Sequence, residues 1–146
     1  MPDKYIPAEL RRFVAERAGQ CCEYCRTQAQ YSPDSFTVDH ITPRSLNGLT
    51  TTENIALCCH GCNQHKSNRI AAPDPVTGSP APLFHPREQR WEEHFVWNED
   101  CTLILGLTPI GRATIEVLQL NRPGLLNLRR VLYAVGEHPP RLDKSS

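Results

Sequence analysis

Cys22-Glu23-Tyr24-Cys25 and Cys59-His60-Gly61-Cys62 decide how this chain is read. Each is a C-x-x-C pair, and residues 26–58 lie between them. Two intervening residues let a tight turn aim both sulfurs at one ion. Two such turns complete a tetrahedral thiolate site of the kind zinc favours. Four protein ligands leave no open position for chemistry, so this zinc is structural. Cys21 and Cys58 directly precede the pairs and leave ligand identity open by one residue; the two-residue spacing is favoured over Cys21-x3-Cys25 and Cys58-x3-Cys62. Cys101 reads as a small buried apolar residue.

Around these pairs, 146 residues argue for one compact domain with at most a short appended unit. A hydrophobic share of 39% and a charged share of 22% exclude a disordered or collagen-like chain. Sixteen basic residues balance sixteen acidic ones, which excludes a histone-like coat of positive charge. Any nucleic-acid contact must therefore be local. The opening Met1-Pro2-Asp3-Lys4-Tyr5 carries no apolar run, and residues 101–107 are too short to span a bilayer. The expectation is a cytoplasmic protein with seven reduced cysteines and no membrane partner. No βαβ pattern surrounds either pair, which argues against a thioredoxin-like thiol oxidoreductase.

Outward from the cysteines, Pro7 opens a helix whose apolar stripe is Leu10, Phe13, Val14 and Ala18, with Gly19 as its C-terminal cap. Residues 35–40 form a short β-branched and aromatic strand ending in Asp39-His40. Pro43, Asn47 and Gly48 mark a loop. Thr50 and Glu53 resemble a capping box, so a helical turn is predicted over residues 54–57. A helix follows over 63–70. Pro73, Pro75, Pro80, Pro82 and Pro86 make residues 71–86 an extended connector. Beyond it, Trp91, His94 and Phe95 share a helical face and act as packing residues. Residues 101–107 form a strand, Thr108-Pro109 start a helix, and Asn121 caps a last helix carrying Leu125, Leu128, Val131, Leu132 and Val135.

The string Cys22-x2-Cys25, Val38-Asp39-His40-Ile41, Pro43, Gly48, Asn54, Cys59-x2-Cys62-Asn63 and Lys66 resembles the HNH endonucleases of the His-Me finger (ββα-metal) group. Residues 83–121 are similar to the tails of small stand-alone bacterial members. The resemblance implies that His40 is a general base that takes a proton from water, so that hydroxide attacks the scissile phosphorus. It implies that Asn54 orients His40 across the ββ loop. Asp39 and Asn63 hold one divalent cation, which stabilises the leaving 3′-oxygen. Lys66, Arg44 and Arg69 are the expected phosphate contacts.

A carboxylate and an amide oxygen suit magnesium or manganese. Relatives that use a softer metal supply a further histidine from the helix. Here Ser67 stands four residues after Asn63, and His65 points to another side. The expected architecture is α+β: an N-terminal helix, a zinc-clamped ββα-metal finger, a proline-rich connector and a mixed, mainly helical C-terminal tail. In domain terms, residues 1–70 carry the nuclease, 71–86 the connector, and 87–146 an extension that packs on the nuclease or self-associates as a homodimer. The implied activity is metal-dependent hydrolysis of phosphodiester bonds in double-stranded DNA. The rival is a non-catalytic zinc-bound nucleic-acid-binding module, which needs the cysteines but not His40.

Overall fold

The computed structural model describes residues 6–142. The chain is α+β, with small antiparallel ribbons set among helices. Helix α1 (Ala8–Arg17) starts after an extended Pro7 and stops where Gly19 takes φ +65°. Its buried Val14 and the following Ala18 share a small core with Ile6, Val38, Ile55 and Leu57. Phe13, predicted on the same stripe, is 46% exposed and instead lies under the Arg17 guanidinium, 5.1 Å from the ring centroid. Arg17 also donates to Thr52 O and Ile55 O at 2.8 and 2.7 Å, tying the last turn of α1 to the next ribbon.

That ribbon pairs β1 (Thr37–His40) with β2 (Ile55–Cys58) in the register Thr37↔Cys58, Val38↔Leu57, Asp39↔Ala56 and His40↔Ile55. The helical turn predicted over residues 54–57 is thus a strand. All four β2 residues are buried, so their backbone groups must find partners within the protein, and the ladder with β1 supplies them along one edge. Glu53 closes no capping box and accepts from its neighbour Thr52 instead. Helix α2 (His60–Lys66) follows β2 after one residue, Cys59, whose sulfur accepts from Cys62 N. It ends before the predicted residue 70 because Ser67 turns to φ 51°, ψ −129°.

Residues 71–86 are not an extended connector. They fold into a hairpin of β3 (Ala71–Pro73) and β4 (Pro80–Pro82), paired Ala71↔Pro82, Ala72↔Ala81 and Pro73↔Pro80. A two-stranded ribbon is all edge, so its prolines face outward at little cost, while Ala72 and Ala81 enter the main core. The turn is organised by Asp74, whose carboxylate accepts from Val76 N, Thr77 Oγ1 and, in a fork at 2.9 and 2.8 Å, from Arg112. The Arg112 hydrogen bonds hold this carboxyl well below its ordinary value. A depressed carboxyl adds stability above its unfolded pKa of about 4 and loses it as pH falls. Asp74→Asn is therefore expected to melt lower than wild type at pH 7, with the gap narrowing toward pH 3; thermal unfolding at both values checks this.

The C-terminal part holds α3 (Trp91–His94), the ribbon β5 (Phe95–Trp97) with β6 (Ile104–Gly106), α4 (Pro109–Leu118) and α5 (Pro123–Ala134). Thr108 caps α4 as predicted, its hydroxyl accepting from Gly111 N. Asn121 does not cap α5. Its amide bridges Ile104 N and O at 2.8 and 2.9 Å, continuing β6, and Arg122 stands at the N-cap. Val131 and Val135 are exposed, and the α5 face turned inward is Leu125, Arg129 and Leu132. Cys101 is a half-buried turn residue at φ 61° rather than a core residue. One core joins the cysteine pairs to Phe84, Trp91, Phe95, Ile104, Leu118, Leu120 and Leu125. No helix among the described residues is long and apolar enough to cross a membrane.

Candidate active site and metal centre

Cys22, Cys25, Cys59 and Cys62 are all buried, with their sulfurs within 4.8 Å of one another. Cys25 Sγ and Cys59 Sγ are 3.6 Å apart. A tetrahedron with metal–sulfur bonds of about 2.3 Å has edges of about 3.8 Å, so the cluster fits a four-coordinate thiophilic ion. It is far too open for a disulfide, whose bond is about 2.05 Å. Cys21 and Cys58 lie outside the cluster. Cys21 donates to Gly19 O, Cys58 belongs to β2, and burial pushes both thiols up to about 11. Structure thus closes the one-residue ambiguity in favour of the two-residue spacing. Burial likewise raises Cys22, while hydrogen bonds from Cys22, Cys59 and Cys62 favour the Cys25 thiolate. Four buried thiols cannot all ionise without a counter-charge, which a metal supplies.

The knuckle around Cys22 is fastened to the ribbon. Glu23 N donates to Leu57 O, Glu23 Oε2 accepts from Leu57 N at 2.9 Å, and Arg87 pairs with the other carboxylate oxygen. Tyr24, inside the first cysteine pair, is fully buried and donates its hydroxyl to Asp39 Oδ2 at 2.8 Å. The structural cluster and the strand end are therefore one connected unit.

Asp39 and His40 close β1 and are 5% and 8% exposed. Burial raises the Asp39 carboxyl above its ordinary range against the pull of Lys66 and Tyr24. Lys66 Nζ stands 3.3 Å from Asp39 Oδ2 and 3.4 Å from Oδ1, and it donates to His40 O and Ile41 O at 3.4 and 3.1 Å. The expectation that Lys66 meets a DNA phosphate is corrected: at 1% exposure its ammonium is the internal counter-ion of Asp39. Asn63 sits three residues before Lys66 on α2, on the helix face the two share. Arg44, in the 3₁₀ turn Arg44–Leu46, and Arg69, just beyond α2, are exposed.

His40 Nε2 lies 2.8 Å from Thr50 Oγ1, a partner that the sequence did not single out. Asn54, expected to orient the imidazole, spends its amide on the loop. Its Oδ1 accepts from Thr42 N at 2.9 Å, and its Nδ2 donates to Thr42 O at 3.0 Å and Leu49 O at 2.8 Å. Its backbone oxygen accepts from Ile41 N. Asn54 thus holds the loop that follows His40 and the end of the ribbon, and none of these bonds reaches the imidazole. The loop closes so tightly that a Cβ on Gly48 would stand 1.7 Å from Thr42 O and 2.9 Å from Asn54 Nδ2. Gly48→Ala is expected to cost about 1–3 kcal/mol, the usual range for forced overpacking, measured by urea unfolding.

Sequence reasoning missed Tyr24, Thr50 and Arg122, whose guanidinium lies against Cys59 and Cys62. Only Tyr24 carried a signal, its place between two ligands.

A two-stranded ribbon, a helix starting at the second cysteine pair, and an Asp-His step held to that helix by Lys66 make a ββα arrangement. Residues 22–69, the segment that holds both cysteine pairs and the Asp-His step, match the family model described as HNH endonuclease. Among curated proteins, the CRISPR-associated endonuclease Cas9 of Corynebacterium diphtheriae is 40% identical over 63 residues, covering 42% of this chain and 6% of Cas9. Septu protein PtuA of Bacillus mycoides is 25% identical over 152 residues, covering 86% of this chain and 21% of PtuA. The chain thus spans only a small part of either relative's length. No solved structure matches it at a comparable level.

Proposed function

We propose that the chain is a metal-dependent endonuclease that hydrolyses phosphodiester bonds in double-stranded DNA. The observation that carries this reading is the meeting of Asp39-His40 with α2, through Lys66, inside the segment matched to the HNH endonuclease family. His40 acts as general base, taking a proton from the attacking water, with Thr50 fixing one ring nitrogen. Asn54 holds the loop that keeps Thr50 and His40 in register. Asp39 and Asn63 supply the hard oxygen donors that suit magnesium or manganese. Lys66 contacts Asp39 at 3.3–3.4 Å, looser than a tight charge-assisted bond of about 2.8 Å, so the carboxylate retains capacity for a harder cation. When bound, that cation neutralises phosphate charge and stabilises the leaving 3′-oxygen.

Arg44 and Arg69 provide phosphate contacts from the exposed rim. The cysteine centre holds zinc, in a cytoplasmic setting where thiols stay reduced. Within this reading residues 1–70 carry the chemistry and residues 87–146 buttress it. One copy nicks one strand, and a homodimer cuts both.

Supercoiled plasmid incubated with the purified chain tests the proposal. Conversion to nicked circles that requires magnesium or manganese is the expected result. Plasmid binding without any cleavage in either metal would instead support the non-catalytic zinc-bound nucleic-acid-binding module.

A further inference from the structure

We propose that Arg122 is the outer-sphere cation of the cysteine centre, and that through it the α4–α5 junction sets how fast zinc leaves. The inference rests on the reading that the four cysteines hold zinc. A zinc ion with four thiolates carries two net negative charges, and this centre lies in an apolar core with Leu118 and Leu125. Uncompensated charge there is costly. Arg122 Nη2 donates toward Cys59 Sγ at 3.5 Å and Cys62 Sγ at 3.8 Å, and Nη1 toward Cys62 Sγ at 3.7 Å.

Two independent features show that the guanidinium is built into this position. Nη1 also donates to Leu118 O and Gln119 O, both at 3.1 Å, so the last carbonyls of α4 fix its orientation. Gln119 at φ 51° turns the chain so that residue 122 returns over the cluster before Pro123 starts α5. On the other side, the residue just before Cys62 is Gly61. A Cβ there would stand 2.5 Å from Arg122 Nη2 and 2.9 Å from Cζ, so the close approach requires glycine. Arginine suits the role because its charge is permanent and its fork reaches two sulfurs and two carbonyls together. Groups hydrogen-bonded to a metal's ligands hold them in place and tune their donor strength.

Zinc transfer to an excess of a colorimetric chelator, followed on the full zinc-loaded chain, tests this. Arg122→Gln, which keeps donors but loses charge, is expected to release zinc about 10-fold faster or more. Its cysteines should be alkylated faster by iodoacetamide. Arg122→Lys should recover most of the retention. Gly61→Ala leaves residue 122 intact but displaces its guanidinium, and should accelerate release in the same direction, which decides the matter if Arg122→Gln does not fold. Release and alkylation at wild-type rates in a folded Arg122→Gln would overturn the proposal, as would equal acceleration by Gln and Lys. A reduced wild-type chain that binds no zinc would overturn the metal reading as well.

Discussion

His40→Ala is expected to lose about 100- to 10,000-fold of the plasmid-nicking rate, the range a positioned general base contributes. The same variant should keep its melting temperature to within a few degrees and its full zinc content. The expectation of an intact fold comes from the geometry. The imidazole's partner, Thr50, is exposed, so truncating His40 leaves that hydroxyl to water rather than stranded in the core. The register of β1 on β2 and the Asn54 hydrogen bonds do not use the side chain of residue 40. Thr50→Ala should give a smaller loss, because it loosens the ring without removing it. Single-turnover nicking with both variants in one metal buffer measures the order. Undiminished nicking by His40→Ala would remove the proposed base.

Lys66→Ala is the second large effect, and it falls on stability. Removing one partner of a buried ion pair leaves an uncompensated charge and costs about 3–5 kcal/mol. Here the stranded group is Asp39, 5% exposed and left with Tyr24 as its hydrogen-bond donor. Burial already raises this carboxyl. A raised carboxyl penalises the fold when ionised, so the variant should recover part of the loss as pH falls and Asp39 protonates. Urea unfolding at neutral and mildly acidic pH measures both the loss and its recovery. A phosphate-contacting lysine on the surface would behave oppositely, weakening DNA binding with stability changed by less than about 0.5 kcal/mol. The experiment therefore separates the position found in the fold from the one expected from the motif.

That difference marks where the sequence stops being legible. The cysteine spacing, β1 and the Thr108-Pro109 start of α4 were readable because each rests on local chemistry: turn reach, β-branched residues, a cap. Residues 54–57 misled because a short apolar run has no period long enough to separate strand from helix, and its partner β1 lies across a loop. The proline-rich stretch misled for a similar reason. Its hairpin is held by Asp74 and Arg112, and nothing near either residue announces the other. Lys66 and Arg122 were hidden because a charged side chain reads as solvated until the fold supplies its counter-charge. In each case the missing information was a contact between distant segments.

The Asn54 amide has a consequence for how this chain could be varied. It grips the backbone at Thr42 on one side and at Leu49 on the other, so the closure of the loop is sealed outside residues 44–47. Of these, Ser45 and Leu46 are exposed and form an interchangeable pair between Arg44 and Asn47, whose φ of 68° belongs to the turn. Their side chains can be rewritten while Gly48 and Asn54 keep the frame, which makes this segment the natural place to graft a new substrate preference.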